Sequence, residues 1–137
     1  NCDMTPEAMC LLSPAFSHCP RLETLSLAGN EIEAEGLEHL VRAATSNLLP
    51  CVVDLDLSNC GLEESACGPL ATLTATLAHL KRLLLRHNEL GGEDFHDFGA
   101  GLAACAAQLQ TLDLDHCGLN AETLIPLTSS MASCLCL

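Results

Sequence analysis

Ten cysteines and six histidines are the side chains of this 137-residue chain best suited to metal binding, redox chemistry or catalysis. The cysteines follow a repeating spacing, as Cys2, Cys60 and Cys117 show, and no Cys-x-x-Cys pair is present. A zinc site is therefore not expected among them, since sequence-readable zinc sites use closely spaced ligand pairs. Disulfides and oxidation-sensitive thiols are alternatives, but cysteines at repeated positions are predicted to be reduced, buried and equivalent to small hydrophobic residues.

Two of the histidines occupy equivalent places, because His87 directly precedes Asn88 and His116 directly precedes Cys117. Their side chains are expected to be neighbours on the surface. A metal site or a pH-sensitive pair is one interpretation, and a pair of solvated loop histidines is the favoured one, so no metal ligand is assigned. No Ser, His and acidic residue form a defensible triad, and no Gly-rich loop follows a strand as phosphate binding requires. The chain is predicted to be no enzyme and to use no cofactor.

The elements that position these residues come from an internal repeat in which Asn or Cys recurs every 28–30 residues. A line of leucines precedes each Asn or Cys and alternates as a short strand does. The alternation of Cys with Asn suggests two repeat types taken in pairs. The four complete lines are Leu22-x-x-Leu25-x-Leu27-x-x-Asn30-x-Ile32, Val52-x-x-Leu55-x-Leu57-x-x-Cys60-x-Leu62, Leu80-x-x-Leu83-x-Leu85-x-x-Asn88-x-Leu90 and Leu109-x-x-Leu112-x-Leu114-x-x-Cys117-x-Leu119. They predict short strands at 24–27, 54–57, 82–85 and 111–114.

Between these lines, apolar residues recur every three to four positions, which is the spacing of a helix with one buried face. Thr5 and Pro6 form a helix start signal, and Pro14 is expected to bend or shorten that helix. Helices are predicted at about 6–17, 34–46, 65–78, 93–106 and 121–133. Stacked strand–helix units place a parallel sheet on the inside of a curve and helices outside.

These lines match the leucine-rich repeat pattern, and the chain resembles the ribonuclease-inhibitor-like class of that family over essentially its whole length. The resemblance rests on the repeat length, the long helical half, and stretches such as Leu57-Ser58-Asn59-Cys60-Gly61-Leu62. It implies an α/β solenoid, a horseshoe segment with a parallel sheet on the concave face and helices on the convex face. Residues 1–137 are expected to form a single segment of about four to five repeats, a piece of a longer array, because neither end carries a polar cap.

The side chains that point out of the strands are the predicted partner-binding residues, which we call the concave strip. Neighbouring strands lie about 4.8 Å apart, so Asp54 and Asp56 are expected beside Arg82 and Leu84. Leu84 is the one large apolar residue and the best anchor candidate. Either the strip selects a partner by charge complementarity or its charges pair across strands and stay solvated. Its residues are Asp54, Asp56, Ser58, Arg82, Leu84, Arg86, Asp113 and Asp115.

A second set of charges, the acidic rim, follows each strand and leads into the next helix. Carboxylates near helix N-termini meet the positive end of the macrodipole, which is sufficient reason for them. The same charges are also able to steer a basic protein towards the surface. The rim residues are Glu31, Glu33, Glu35, Glu63, Glu64 and Glu89.

The overall charge narrows the choice of partner. The chain has 18 Asp and Glu against 5 Lys and Arg, a formal net charge of −13. Direct nucleic-acid binding rests on Lys and Arg contacts to phosphates and is not expected. No apolar run reaches the ~18 residues of a membrane span, and no signal-peptide pattern is seen at the N-terminus. A cytoplasmic or nuclear protein that is not secreted is expected.

Two functions from different classes fit these patterns. The favoured one is a non-catalytic scaffold or adaptor segment that binds a folded, basic protein. The alternative is a ligand-sensing or autoinhibitory repeat domain of a NOD-like innate-immune receptor. A ribonuclease inhibitor ranks third, because the three aromatic residues, Phe16, Phe95 and Phe98, lie in helical halves and leave the strip without aromatic anchors.

Overall fold

Four short parallel strands form one sheet and lie side by side in chain order. A computed structural model describes residues 2–105 and 107–125. The pairing register places the central leucine of each strand in one row, so the predicted alternation of faces and the solenoid architecture are confirmed. The strands are slightly shorter than predicted and span β1 Thr24–Ser26, β2 Asp54–Asp56, β3 Arg82–Leu84 and β4 Thr111–Asp113.

One α-helix precedes the first strand, and one α-helix joins each pair of consecutive strands. Adjacent helices contact one another along the stack. Residues 121–125 are also helical, and the rest of the helix predicted at 121–133 lies outside the described residues. A 3₁₀ turn, Glu64–Ala66, precedes the third helix where the sequence predicts one continuous helix. The helices are α1 Pro6–Leu12, α2 Glu33–Thr45, α3 Cys67–Thr76 and α4 Phe95–Cys105.

The first helix confirms both sequence signals. The Thr5 hydroxyl accepts the amide of Ala8 at 3.5 Å, and Pro6 is the first helical residue. The α-helix ends at Leu12, one residue before a 3₁₀ segment over Ser13–His18. Pro14 has no amide hydrogen for an α-helical bond, so the chain tightens there instead of continuing the helix.

Leucine layers fill the space between the sheet and the helices, and the few aromatic rings lie on the helical side of that core. Phe95 and Phe98 are fully buried, with ring centroids 5.6 Å apart in an edge-to-face arrangement. Gly101 of α4 lies against α3, where an added Cβ would collide with the Ala71 backbone. The close approach of these two helices therefore depends on the absence of a side chain at residue 101.

Within the described residues, every helix is too short or too polar to cross a bilayer.

Candidate protein-interaction surface

A buried column that fixes each turn after a strand is formed by Asn30, Cys60, Asn88 and Cys117. The Asn88 Oδ1 atom accepts the amides of Cys60 at 3.0 Å and Leu62 at 3.1 Å, both in the preceding repeat. Its Nδ2 atom donates to the carbonyls of Leu57 at 2.9 Å and Leu85 at 2.7 Å. One amide group thus satisfies four backbone groups that the turns leave without partners.

Asn30 repeats this arrangement at the first interface between repeats. Its Oδ1 atom accepts the amides of Cys2 at 2.9 Å and Met4 at 3.1 Å, and its Nδ2 atom donates to the Leu27 carbonyl at 2.7 Å. Each Asn therefore reaches back to the Cys-type turn before it. The predicted pairing of two repeat types now has a structural basis.

The Cys-type turns present two amides to one oxygen because of a left-handed residue between them. Asp3 has φ +49° and Gly61 has φ +67°, and each follows the turn cysteine. In backbone nests, a left-handed residue turns neighbouring N–H groups towards one concavity that holds a negative atom. Gly118 has φ +68° at the equivalent place after Cys117.

The turn cysteines make weaker bonds to the repeat before them. The Cys60 sulphur lies 3.2 Å from the Leu27 carbonyl oxygen, and the Cys117 sulphur lies 3.0 Å from the Leu85 carbonyl oxygen. A thiol is a weak donor, so each of these contacts is weaker than its asparagine counterpart. Burial raises the pKa of Cys60 to about 11 and also raises the pKa of Cys117.

The expectation that cysteines at repeated positions are buried is correct for Cys60, Cys67 and Cys117 and wrong for three others. Cys2, Cys10 and Cys19 are exposed. All three belong to the first unit, whose helix α1 packs on α2 among the described helices. Cys67 is enclosed between helices instead, and burial raises its pKa to about 12.

The concave strip has the predicted order of charges. Asp54 pairs in register with Arg82 and Asp56 with Leu84, and β4 places Thr111 beside Arg82 and Asp113 beside Leu84. Leu84 is half-buried, so part of its side chain faces outward as an anchor would. Ser58 lies at the end of the strip, where its carbonyl accepts the Gly29 amide.

Ion pairing within the strip is confined to one end. The Arg86 Nη2 atom lies 2.6 Å from Asp115 Oδ2, and its Nε atom lies 3.7 Å from Asp113 Oδ2. The hydrogen bond from Arg86, followed by one from His116, lowers the pKa of the Asp115 carboxyl. Among residues 2–105 and 107–125, Asp54 and Arg82 form no ion pair with each other or with another residue. The charges of Arg86, Asp113 and Asp115 are therefore paired with one another, whereas those of Asp54 and Arg82 are available to a partner.

The acidic rim lies along one edge of the solenoid. Glu33 and Glu35 are in the first turn of α2, as the macrodipole argument predicts. A backbone bridge joins Glu63 to Glu89, so the rims of neighbouring repeats are continuous. Glu64 differs from the others because its Oε1 atom accepts the Asp94 amide at 3.0 Å and ties two repeats together. Shallow grooves along this edge are lined by Glu31, Glu33, Glu35, Glu63, Glu64 and Glu89.

His87 and His116 are neighbours, as their equivalent places in the repeat predict. Their rings lie 4.8 Å apart at an angle of 33°. The His116 Nδ1 atom is 2.9 Å from Asp115 Oδ1, so an acidic side chain joins the pair. The identity of this third member was missed, although Asp115 stands next to His116 in the sequence.

The parallel sheet inside, the helices outside and the Asn and Cys column at each turn define a leucine-rich repeat protein. Family models described as Leucine Rich Repeat match residues 18–41, 79–100 and 108–131. The ribonuclease inhibitor of Sus scrofa is 32% identical over 137 residues, which is 97% of this chain and 30% of that protein. The chain belongs to the leucine-rich repeat family, in its ribonuclease-inhibitor-like class.

Two further similarities show how widely this architecture is used. NACHT, LRR and PYD domains-containing protein 5 of Bos taurus is 30% identical over 90% of this chain and 11% of its own length. A solved structure titled Leiomodin-1 Actin-Binding Site 2 matches with a TM-score of 0.73 at 15% identity, over 96% of this chain and 75% of that one. The chain spans less than a third of the curated relatives named here. Leucine-rich repeat domains of this kind are in general protein-binding modules without catalytic function.

Proposed function

We propose that this chain is a non-catalytic scaffold or adaptor module that binds a folded protein with a basic surface. The observation that carries the proposal is the uncompensated charge of the rim. Within the described residues, no rim glutamate forms an ion pair with a Lys or Arg side chain. The rim is continuous from one repeat to the next, and such a one-signed edge raises encounter rates with proteins of opposite charge.

The concave strip supplies the specific contacts in this proposal. Arg82 is exposed and forms no ion pair with the described part of the chain, and the half-buried Leu84 lies two residues further along the same strand. A partner that covers Leu84 and presents an acidic group to Arg82 would gain a small apolar anchor and a directed charge pair. The steering charge and the specific contacts therefore lie on adjoining surfaces.

Charge-neutralising variants test the role of the rim. The double variant Glu31→Gln and Glu63→Gln removes two rim charges, while Glu7→Gln and Glu38→Gln removes two exposed charges from the helices. The probe is a panel of folded basic and acidic proteins of similar size, measured by stopped-flow association at low and high salt. We expect basic proteins to bind, several-fold slower association for the rim variant at low salt, and no such effect for the helix variant. Equal association of acidic and basic proteins would contradict the proposal.

A single reversal tests the strip. Arg82→Glu changes a side chain that has no ion pair within residues 2–105 and 107–125, so it alters binding without breaking such a pair there. Arg42→Glu on the exposed side of α2 is the matched control. We expect the first variant to weaken binding of any panel member captured by the rim, and the second to leave the affinity unchanged. If both variants bind equally well, the partner does not contact the strip.

A repeat domain of a NOD-like receptor is the second candidate, and the similarity to NACHT, LRR and PYD domains-containing protein 5 favours it. The two candidates differ in what the parent protein carries before this segment. A nucleotide-binding domain with a P-loop encoded upstream would support the receptor, and further interaction repeats would support the scaffold.

Ribonuclease inhibition is the third candidate and rests on the curated relatives alone. Phe16, Phe95 and Phe98 are buried in the helical half, so the strip offers no aromatic anchor. We expect no inhibition of pancreatic ribonuclease by this chain in a steady-state activity assay.

Buried, weakly acidic thiols such as Cys60 and Cys67 support a location in a reducing compartment.

A further inference from the structure

Three exposed side chains, His87, Asp115 and His116, converge where β3 and β4 give way to their turns. One candidate ligand atom from each lies within 4.8 Å of the others. We propose that these three residues bind a divalent transition-metal ion, with Zn²⁺ as the best-matched representative. The site is separate from the protein-binding role proposed above and does not depend on it.

The donor set defines the kind of ion. Two imidazole nitrogens and one carboxylate oxygen suit zinc and other first-row transition metals, while Ca²⁺ and Mg²⁺ prefer all-oxygen sites. Three protein ligands plus a water molecule is a common arrangement around an accessible Zn²⁺. Ligand atoms at tetrahedral positions on one zinc ion lie about 3.3 Å apart, since each bond is about 2 Å long. Side-chain rotations that close the set by about 1.5 Å therefore complete the site, and the exposed histidines are free to make them.

Arg86 orients the carboxylate for this role. Its Nη2 atom holds Asp115 Oδ2 at 2.6 Å, while Asp115 Oδ1 faces the His116 Nδ1 atom at 2.9 Å. One oxygen is thus restrained by a second residue and the other lies on the imidazole side. Hydrogen bonds of this kind to metal-binding carboxylates set their orientation and raise metal affinity.

The surroundings favour a cation as well. His116 also lines the groove formed by Glu63, Glu64 and Glu89, and clefts with one sign of charge concentrate counter-ions. The positive charge of Arg86 opposes the ion, but it is largely compensated by its contacts with two aspartates. The groove glutamates, in contrast, form no ion pair with a Lys or Arg side chain among the described residues.

The two imidazoles occupy the same backbone position in consecutive repeats, directly before Asn88 and Cys117. His87 and His116 both have φ +55°, and the equivalent left-handed positions of the first two repeats are Gly29 and Asn59. Asn is therefore a residue that this turn already accommodates. His87→Asn and His116→Asn remove a ligand without imposing new backbone strain, which makes them the variants of choice.

The test is a Zn²⁺ titration of the chain by isothermal titration calorimetry, after alkylation of exposed thiols in every sample because thiolates also bind zinc. The variants are His87→Asn and His116→Asn. The matched control is His96→Asn, an exposed histidine of α4 outside the cluster. Imidazole NMR signals, assigned with the same variants, are followed in parallel.

We expect one equivalent of Zn²⁺ to shift the signals of His87 and His116 together. Each cluster variant should lower the affinity at least tenfold, and the control should bind as the unaltered chain does. Absence of binding, or binding with equal affinity by all variants, would overturn the site. A shift of one histidine signal alone would do the same, because it would show a single-ligand contact rather than a shared ion.

Discussion

Replacing Asn88 with Ala should be among the most destabilising single changes available to this protein. Asn88 is 2% exposed, and its side chain makes four hydrogen bonds shorter than 3.2 Å to backbone groups of two repeats. Removal leaves the amides of Cys60 and Leu62 without an acceptor. Each buried, unsatisfied group costs about 1–3 kcal/mol, so the expected loss in the free energy of unfolding is about 4 kcal/mol. Such a loss is a large fraction of the stability of a domain.

Asn120→Ala provides the matched control. Asn120 Oδ1 also accepts two backbone amides, from Glu122 at 2.9 Å and Thr123 at 3.0 Å, but it does so on the surface. Water replaces the lost partner there, and removal of such a helix cap costs about 1 kcal/mol. The two variants therefore remove the same number of accepted backbone amides, and they differ in burial and in the two hydrogen bonds that Asn88 Nδ2 donates.

The measurement is urea unfolding followed by circular dichroism, with the change in midpoint converted through the slope of the transition. Asn88→Cys adds a further comparison, because a thiol keeps a weak donor and supplies no good acceptor for the two amides. We expect it to lose nearly as much stability as Asn88→Ala. Equal losses for Asn88→Ala and Asn120→Ala would refute the reasoning, since burial would then not set the cost.

Two other predictions concern helix packing and alkaline pH. Gly101→Ala should lower the free energy of unfolding by about 1–3 kcal/mol, because its Cβ would press on the Ala71 backbone. Gly68 faces open space, so Gly68→Ala should raise the free energy of unfolding by about 0.5–1 kcal/mol. Thermal unfolding measures both changes. Stability should also fall above pH 9, because the unfolded chain releases thiol protons near the ordinary pKa of 9.0 while Cys60 and Cys67 hold theirs to about pH 11 and 12 in the fold. The free energy of unfolding should fall by up to about 1.4 kcal/mol per pH unit for each thiol. Urea midpoints between pH 8 and 11, compared between the unaltered chain and Cys60→Ala, measure this slope.

Opposite outcomes are easy to recognise. Equal effects of the two glycine substitutions would show that the close approach of α3 and α4 does not depend on the absence of a side chain at residue 101. A stability that is flat from pH 8 to 11 would mean that the buried thiols titrate alike in the folded and unfolded chain.

The strand register was predictable because each leucine line carries its own alternation. A shift of one residue would turn Leu55 and Leu83 out of the core, and no other alignment keeps all four central leucines in one row. The charges that flank them on the concave face then follow without further information. The helix starts were similarly readable at Thr5 and Pro6, since their chemistry is local.

Features that depend on side-chain rotamers or on neighbouring repeats were not predictable. The sequence places Arg82 and Arg86 in comparable surroundings, but only Arg86 reaches two aspartates. Cys10 and Cys67 both lie on helices and differ in burial: among the described helices, α3 packs between α2 and α4, whereas α1 packs on α2. The internal bond of Glu64 likewise depends on where the loop around Gly92 passes.

The alternation of strong asparagine bonds with weak thiol contacts implies that this protein tolerates the gain or loss of repeats best when two consecutive repeats are added or removed together. A deletion of two consecutive units leaves every asparagine facing a turn whose left-handed residue presents two amides. A deletion of one unit would place Asn88 against the turn of Asn30, and Glu31 does not have the left-handed conformation of Gly61. We therefore expect duplications and deletions in this array to involve an even number of repeats, and an engineered version should be extended or trimmed by pairs of repeats.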